Sequence, residues 1–437
     1  NFPLPVLQQT IRDQFAGKGE AIVKMNLAAV ESGYQYARVN FRPDHFPYRL
    51  SAQPHAERPP MLTGNEGVSL GLAAAGCQLY VAYPMSPSSA ILHNLAAWAS
   101  STGMVVRQPE DEIAGVHAMI GAMYAGTRAA IGTSGGGFAL MNEAVTLAAM
   151  TETPAVLVVC SRPGPATGLP TWTEQGDLKY VVNCGHGDFP RAVLTPSDPQ
   201  EAYDAAGVAF NIAEHYQLPV FILMDKFVCE SSWAMPDFVA VKPHLERGLM
   251  LHEDDLAKVK EYHRYQITGD GISPRTLPGT AGGIHLANSD EHDEFGFALE
   301  SFGAGERMRR QMMEKRMGKL HGVLAELPKP KLFGPKRAKL TLLGWGSTKG
   351  PVLEALRQLP YVNYVHVPAV WPIPEHEIHQ LVSHAEQLVT VENNFTGQFA
   401  TILRGATGIT PHHQLLKYNG SQFWPEELVE KVKALLP

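Results

Sequence analysis

Between residues 62 and 224, short apolar runs alternate with longer amphipathic stretches. The short runs predict β-strands over residues 77–83, 104–108, 128–133, 155–160, 192–194 and 219–224. The longer stretches predict α-helices over residues 66–75, 88–101, 112–125, 138–150 and 199–216. Strands that are apolar throughout and alternate with helices are typical of a parallel sheet covered on both faces. The pattern therefore predicts a doubly wound α/β domain.

The same alternation returns towards the C-terminus. It predicts strands over 340–344, 362–367 and 387–392, and helices over 351–359, 375–381 and 398–405. Two helices, interrupted at 15–20, are predicted in residues 1–40. A connecting helix is predicted in the charged run 306–320, and linkers are predicted in the Pro-rich stretches 41–60 and 328–335. We expect an α/β protein with two doubly wound parallel-sheet domains. Its predicted divisions are residues 1–40, 41–61, 62–244, 245–335 and 336–437.

The amino-acid composition excludes some classes of binding partner for this protein. The chain has 437 residues, with 36 Lys and Arg against 43 Asp and Glu, so its formal charge is -7. This balance gives no basic surface for a phosphate backbone. No apolar run approaches the ~20 residues that a membrane helix needs. We therefore expect a cytoplasmic protein that binds neither nucleic acid nor a membrane.

The four cysteines, Cys77, Cys160, Cys184 and Cys229, are widely spaced along the chain. Iron–sulfur clusters and structural zinc sites draw on closely spaced thiolates, and the sequence contains no Cys-x-x-Cys pair. We expect these thiols to be buried as small apolar side chains, and we expect no metal site on this chain. A metal used in electron transfer would then lie on another polypeptide.

In open α/β sheets, ligands bind where strands end and helices begin. Residues 83–89 (YPMSPSS) follow a predicted strand, and two prolines stiffen the backbone around Ser86. This turn suits either helix capping by Ser86 or Ser88 or presentation of the Ser86 hydroxyl to a ligand.

Residues 110–112 (EDE) open a helix whose next turns are small or apolar. These acids either complement the helix dipole or, partly dehydrated, share a proton with a ligand.

Two further turns carry candidate chemistry. Residues 132–136 (GTSGG) satisfy the Gly-x-Ser-x-Gly pattern of serine hydrolases, with Ser134 as nucleophile and Asp225 as a candidate acid. The three glycines at 135–137 also allow a cofactor or partner to approach the backbone closely. Arg162 ends a predicted strand with no acid near it in sequence. Its guanidinium group suits a carboxylate ligand, with a distant Asp or Glu as the alternative partner.

A set of motifs in this order resembles the alpha subunit of the 2-oxoacid:ferredoxin oxidoreductases. The motifs are YPMSPSS (83–89), EDE (110–112), TSGGGFALM (133–141), RPGPATGLPT (162–171), TEQGD (173–177), SDEHD (289–293), LGWGST (343–348) and ENNFTGQ (392–398). The resemblance implies that residues 62–244 form a pyrimidine-binding domain for thiamine diphosphate and that 336–437 form a smaller transketolase C-terminal-like domain. Residues 9–36 resemble the tail of the family's gamma domain, so we expect 1–40 to be that tail, with the rest of the gamma domain missing from this chain.

The resemblance implies an enzyme subunit that is active only with its beta subunit. The family decarboxylates a 2-oxoacid on thiamine diphosphate, passes electrons through iron–sulfur centres to ferredoxin, and forms an acyl-CoA from coenzyme A. The beta subunit would hold the diphosphate, Mg²⁺ and a 4Fe–4S cluster, and we expect an α2β2 assembly. The motif wording is nearest to that of the 2-oxoglutarate enzymes. We therefore expect the reversible conversion of 2-oxoglutarate to succinyl-CoA.

The resemblance also assigns cofactor-binding residues. Glu112 matches the family glutamate that hydrogen-bonds the aminopyrimidine ring and activates the cofactor. Glu110 is its rival, but the spacing to the end of the helix fits Glu112 better. Tyr83, Pro84 and Met85 belong to the turn that we expect to contact the cofactor.

Three further residues match substrate-binding positions of the family. Arg162 matches the arginine that binds the substrate carboxylate, Thr171 matches a threonine close to it, and the Ser86 hydroxyl stands where most members have Thr. Trp172 departs from the Lys or Arg that is common in the family, which bears on recognition of a second carboxylate. The alternatives are pyruvate or a branched-chain 2-oxoacid as substrate, a serine hydrolase that uses Ser134, and a non-catalytic scaffold subunit.

Overall fold

The computed structural model describes residues 2–42 and 59–436. These residues belong to two compact units, Asn1–Arg58 and Pro59–Pro437. Most of the predicted linker 41–61 lies outside the described residues.

The smaller unit is a pair of helices, α1 (Leu4–Phe15) and α2 (Glu20–Asn40), separated by a 3₁₀ turn at Ala16–Lys18. Gly19 has a φ of 92° between them, a backbone conformation that favours glycine. The two helices predicted in residues 1–40 and their interruption are therefore confirmed.

The larger unit contains strands that form three sheets. In chain order the strands are β1 (Met61–Leu62), β2 (Leu79–Val81), β3 (Val105–Arg107), β4 (Ala129–Thr133), β5 (Ala155–Ser161), β6 (Ala192–Leu194), β7 (Pro219–Asp225), β8 (Trp233–Ala234), β9 (Lys331–Phe333), β10 (Leu340–Gly344), β11 (Val362–His366), β12 (Ala369–Trp371), β13 (Gln387–Glu392) and β14 (His413–Leu416). All nine strands predicted from the sequence are present, with ends shifted by two residues or fewer.

Helices lie between these strands. They are α3 (Gly64–Ala74), α4 (Ser89–Thr102), α5 (Glu112–Tyr124), α6 (Gly135–Met150), α7 (Leu178–Val182), α8 (Pro199–Tyr216), α9 (Lys226–Glu230), α10 (Glu253–Leu256), α11 (Ala304–Glu326), α12 (Lys349–Leu356), α13 (Glu375–Val382), α14 (Gln398–Thr407) and α15 (Pro425–Lys433). The connecting helix predicted over 306–320 is α11, which extends further in both directions.

The main sheet has seven strands in the order β12–β6–β7–β5–β4–β2–β3. Six of them are parallel, and β12 pairs antiparallel with β6 at the edge. Strands β5 and β7 are buried along their whole length, as expected for central strands covered by helices on both faces. The chain runs from β2 outward to β3 and then returns to the other side of β2 as β4. Strands β2 and β4 therefore flank the point where the winding reverses.

The second sheet has the order β14–β13–β10–β11–β9, with β9 antiparallel to β11 and the others parallel. The prediction of a linker over 328–335 is therefore partly wrong, because Lys331–Phe333 in the middle of this stretch forms β9. The prolines at 328, 330 and 335 all lie outside this short edge strand, so they do not interrupt its hydrogen bonds. With both sheets present, the predicted fold class is confirmed.

The two sheets share a core. Val365 and Phe399 from the second sheet region belong to the same buried apolar cluster as Phe221 of β7. In addition, β12 lies in the predicted division 336–437 yet pairs with β6 of the main sheet. The domain boundaries 62–244, 245–335 and 336–437 remain a prediction.

The predicted connecting segment 245–335 is held by buried charges. Glu152, at the end of α6, accepts hydrogen bonds from Lys315 and Lys319 of α11, each at 2.5 Å. Burial on its own raises the pKa of Glu152, but the two ammonium groups outweigh it and hold the pKa below its usual range. Arg264 donates to the Glu152 carbonyl at 2.8 Å. Long helix α11 is thus tied to the main sheet through one carboxylate.

The four cysteines are free and buried, as predicted. Burial raises the pKa of the Cys77 thiol to about 12, so it is protonated and inert at neutral pH. Within residues 2–42 and 59–436, no three His, Cys, Asp or Glu side chains group in a way that could hold a metal ion. None of the helices described above is both long enough and apolar enough to cross a membrane.

Candidate active site

The turns that follow β2, β4 and β5 meet at the carboxyl edge of the main sheet. These strands are neighbours in the order β5–β4–β2, and all three are parallel. The turn after β2 holds the predicted residues Tyr83 to Ser86, β4 leads directly into α6, and β5 ends beside Arg162. The edge includes the reversal point between β2 and β4, where ligands bind in open α/β sheets. Topology therefore brings most of the predicted site residues to one place.

Glu112 is held at this edge by the start of α5. Asp111 is the N-cap of the helix, and its carboxylate accepts a hydrogen bond from the Ala114 amide at 2.8 Å. Capping by Asp111 leaves the neighbouring Glu112 carboxylate free of that role. Glu112 is only 5% exposed, and it has no side-chain hydrogen-bond partner among the described residues. A buried carboxylate with no partner in the described part of the chain is available to a ligand.

Gly137 in the first turn of α6 makes room for this carboxylate. A Cβ atom on Gly137 would lie 2.3 Å from Glu112 Oε1 and 2.2 Å from Thr133 Oγ1. Both distances are shorter than any real contact, so a side chain at position 137 would displace Glu112 or Thr133. The third glycine of the GGG run is therefore needed because a carboxylate from α5 packs against its backbone.

Met85 folds the turn after β2 onto the same helix. The Gly137 amide donates to Met85 Sδ at 3.3 Å, and a Cβ on Gly136 would lie 3.3 Å from the Met85 methyl group. Tyr83 is 39% exposed, and Pro84 and Ser86 are exposed beside it. The turn thus presents its outer residues to a ligand while Met85 anchors it.

The capping interpretation of this turn is wrong. Ser88 occupies the N-cap position of α4 but makes no side-chain hydrogen bond to the helix amides. Its hydroxyl donates instead to the Met85 carbonyl at 2.7 Å, which closes the turn on itself. The Ser86 side chain therefore remains exposed.

Arg162 lies directly after β5 and reaches across to the turn after β2. Its Nη1 donates to the Ser86 carbonyl at 2.8 Å. The preceding residue, Ser161, donates through its hydroxyl to Asp177 Oδ2 at 2.6 Å. Burial raises the pKa of Asp177, and the Ser161 hydrogen bond and the nearby Arg162 charge oppose that rise. The structure thus places the Arg162 side chain against Ser86. It also places an acid, Asp177, near Arg162, although the two residues are 15 positions apart in the sequence.

Thr171 lies elsewhere. It lines a cavity of about 700 Å³ whose walls include five aromatic side chains. The aromatic side chains are Trp172, Phe227, Trp233, Phe423 and Trp424. In the described parts of the chain, Thr171 has no hydrogen bond to Arg162 or Ser86. Its place in a substrate site therefore stays a prediction.

The hydrolase alternative lacks its geometry. Ser134 is fully buried, and its Oγ has no hydrogen-bond partner among the described residues, whereas a nucleophilic serine needs a base within hydrogen-bond reach. Asp225 accepts hydrogen bonds from the Thr173 hydroxyl and from the amides of Phe227 and Val228, which start α9. Asp225 is therefore a helix cap, and the pattern at 132–136 marks a close packing of backbone and side chains.

Three residues of this edge were not predicted from the sequence as site residues. Thr133 packs beside Glu112, and Ser161 and Asp177 bond to each other near Arg162. The only signal for Asp177 was its membership of the TEQGD motif, because its partner is 16 residues earlier in the chain. No local pattern specifies that contact.

Comparison with known proteins identifies similar chains. Residues 71–310 match the family model described as pyruvate flavodoxin/ferredoxin oxidoreductase, thiamine diphosphate-binding. The alpha subunit of 2-oxoacid:ferredoxin oxidoreductase 2 from Aeropyrum pernix is 36% identical over 99% of this chain and 69% of its own length. The 2-oxoglutarate synthase subunit KorA of Methanothermobacter thermautotrophicus is 30% identical over 85% of this chain and 97% of its own.

A solved structure is similar over nearly the whole chain. It is the 2-oxoglutarate:ferredoxin oxidoreductase from Magnetococcus marinus with 2-oxoglutarate, coenzyme A and succinyl-CoA bound. The TM-score is 0.87 at 32% identity, covering 98% of this chain and 74% of that one. The chain spans 61% to 69% of the length of the archaeal alpha subunits that it matches from Aeropyrum and the Sulfolobus group.

Proposed function

Because the chain belongs to the family of 2-oxoacid:ferredoxin oxidoreductase alpha subunits, we propose that it serves the CoA-dependent oxidative decarboxylation of a 2-oxoacid, with electrons passing to ferredoxin. One observation carries the proposal. The Glu112 carboxylate is buried, has no hydrogen-bond partner among the described residues, and packs against Gly137 at the reversal point of the main sheet. A carboxylate in that setting is placed to hydrogen-bond a ligand and belongs to the side chains that serve as general acids or bases.

The residues at this edge fit thiamine diphosphate. When bound, this cofactor supplies the nucleophilic carbon and the electron sink for decarboxylation. Glu112 would hold the aminopyrimidine ring through its carboxylate, and the turn of Tyr83, Pro84 and Met85 would form a wall beside it. Met85 is already fixed by the Gly137 amide, so that wall is preorganised. The thiols of this chain are buried, which supports assigning the iron–sulfur cluster to a beta subunit. We assign Mg²⁺ to the same subunit from the family resemblance, together with the diphosphate that it would bind.

We place the substrate carboxylate at Arg162. Among the described residues the Arg162 guanidinium group donates only to the Ser86 carbonyl, so it has further donors for a substrate carboxylate, and the Ser86 hydroxyl is exposed beside it. In this role Arg162 binds and orients the oxoacid, and Ser86 donates to it. A substrate contact by Thr171 is proposed from the family resemblance alone, because Thr171 lines the cavity beside Trp172, whose lining residues do not include Arg162 or Ser86.

For the substrate itself we propose 2-oxoglutarate, with coenzyme A as co-substrate and succinyl-CoA as product. Support comes from the relatives named 2-oxoglutarate synthase and from the Magnetococcus marinus enzyme, which was solved with these three molecules. Trp172, where Lys or Arg is common in the family, itself offers no positive charge to a second carboxylate, and Lys226, which lines the same cavity, is paired with Glu230. Pyruvate and branched-chain oxoacids are therefore the substrates to compare.

The alpha-subunit relatives imply a partner subunit. We propose a beta subunit that carries the diphosphate site and the cluster, an α2β2 assembly, and ferredoxin as the electron acceptor.

The test uses the complex co-purified from its native source. Reduction of a viologen dye is measured with CoA and 2-oxoglutarate, pyruvate or a branched-chain oxoacid. We expect the highest kcat/KM with 2-oxoglutarate. Higher kcat/KM with pyruvate would reassign the substrate, whereas no turnover with any oxoacid would contradict the enzyme function and leave the scaffold alternative.

The role of Arg162 is tested in the same assay. Arg162→Ala removes the group that binds the substrate carboxylate, so we expect the KM for the oxoacid to rise on the order of 100-fold. Arg107→Ala, which removes an exposed arginine at the end of β3, is the control and should leave KM unchanged. An unaltered KM in the Arg162 variant removes this residue from the site.

A further inference from the structure

The TEQGD segment, residues 173–177, is anchored to the second sheet. Gln175 is fully buried and donates through Nε2 to the Trp345 carbonyl, which follows β10, at 2.9 Å. The Gln175 amide donates to the Asn393 carbonyl at 2.7 Å, and the Asn393 amide returns a bond to Gln175 Oε1 at 2.9 Å. The second sheet therefore fixes the segment that ends at Asp177.

Asp177 brings a negative charge to the carboxyl edge of the main sheet. Its Oδ2 accepts from the Ser161 hydroxyl at 2.6 Å, and both carboxylate oxygens lie 2.5 Å from where a Cβ on Gly135 would stand. Gly135 is the first glycine of the GGG run. A side chain at this position would collide with the Asp177 carboxylate, just as one at position 137 would collide with Glu112. Asp177 is therefore packed against the start of α6.

Asp177 does not serve as a helix cap. It occupies the N-cap position of the short helix α7, yet its side chain makes no cap hydrogen bond. Its carboxylate is directed to Ser161 instead, the residue before Arg162. Two consecutive residues at the end of β5 are thus held in different ways: Ser161 by Asp177, and Arg162 by the Ser86 carbonyl.

From this arrangement we propose that Asp177 is a positioning residue, which fixes the Arg162 guanidinium by holding Ser161 and by attracting the arginine charge. The inference rests on the proposed function, because Arg162 binds the oxoacid carboxylate there. An arginine that is held in place loses less side-chain entropy when the substrate binds. Asp177 therefore acts on substrate affinity through Arg162 without touching the substrate.

The test separates charge from hydrogen bonding in the native complex. Asp177→Asn keeps an acceptor for the Ser161 hydroxyl but removes the charge, and Ser161→Ala keeps the charge but removes the bond. We expect each variant to raise the oxoacid KM about tenfold and to leave kcat within about twofold. Asp237→Asn, at an exposed acid, is the matched control and should change neither.

A double-mutant cycle distinguishes positioning from general loss of structure. In the Arg162→Ala background, Asp177→Asn should raise KM by less than about twofold, because the residue through which it acts is gone. Equal effects in both backgrounds would overturn the proposal, as would an unchanged KM in the single variant. Thermal unfolding midpoints within a few degrees of wild type confirm that Asp177→Asn folds; if it does not, Ser161→Ala carries the same cycle.

These measurements distinguish a failure of the proposed function from a failure of the positioning role of Asp177. If the wild-type complex turns over no oxoacid, the function itself is wrong. If wild type is active and responds to Arg162→Ala but not to Asp177→Asn or Ser161→Ala, only the positioning role is wrong.

Discussion

Adjacent acids at the start of α5 have different roles. Asp111 caps the helix, whereas Glu112, one position later, points into a buried space against Gly137 and Thr133. The sequence alone offered helix-dipole stabilisation as an alternative for this whole acidic run. The structure assigns capping to Asp111, so the burial of Glu112 needs another explanation, because an unpaired carboxylate is costly to bury.

Glu112→Gln tests whether that carboxylate takes part in the reaction. Glutamine has the same shape but exchanges no proton, so we expect an assembled complex whose oxoacid-dependent dye reduction falls about 100-fold or more. Glu110→Gln is the control, since Glu110 is exposed and near Glu112 in sequence. Retained turnover in the Glu112 variant, with assembly verified by size-exclusion chromatography, would remove it from catalysis.

At the scale of elements, the predictable features are those with a local periodic signal. The apolar runs and amphipathic stretches gave β10 and α8 with their observed bounds. Strand β12 was missed, since a three-residue strand that pairs with a segment far away in sequence has no periodicity of its own. The contact between Ser161 and Asp177 was missed for the same reason. The GGG run was predicted to admit a cofactor or partner, and the structure shows that it admits side chains of its own chain.

Because α6 packs on α5, alanine substitutions at the neighbouring Gly137 and Gly136 should have different effects on the stability of the protein. Gly137→Ala places a methyl group against Glu112 and Thr133, so we expect a loss of about 1–3 kcal/mol in unfolding free energy. Gly136→Ala meets the terminal methyl group of Met85 at 3.3 Å, which must move by a few tenths of an ångström, and the Ala166 carbonyl oxygen at an ordinary contact distance of 3.9 Å. Because alanine favours the helix by about 1 kcal/mol, the midpoint of this variant should be unchanged or higher. Differential scanning fluorimetry of both variants measures the difference. Equal midpoints would show that Glu112 is not held against Gly137.

At the scale of the whole molecule, α11 joins the connecting segment to the main sheet through Glu152. Lys315 and Lys319 both pair with this one carboxylate, and all three side chains are buried. Removing the negative charge leaves the buried ammonium groups of Lys315 and Lys319 without the carboxylate that pairs with both. Breaking a buried pair in this way is far more costly than breaking a pair at the surface.

Glu152→Gln should therefore lower the unfolding free energy by about 3–5 kcal/mol. Glu354→Gln, at an exposed pair with Arg357, should cost about 0–1 kcal/mol and is the matched control. Because the pKa of Glu152 is lower in the folded state than its unfolded value of 4.5, its contribution is complete above that pH and is lost as the pH falls further. The gap in thermal midpoint between wild type and Glu152→Gln should thus narrow as the pH falls below 4.5. A gap no larger than that of the Glu354 control at pH 7 would mean that the Glu152 pairs do not hold α11 in place.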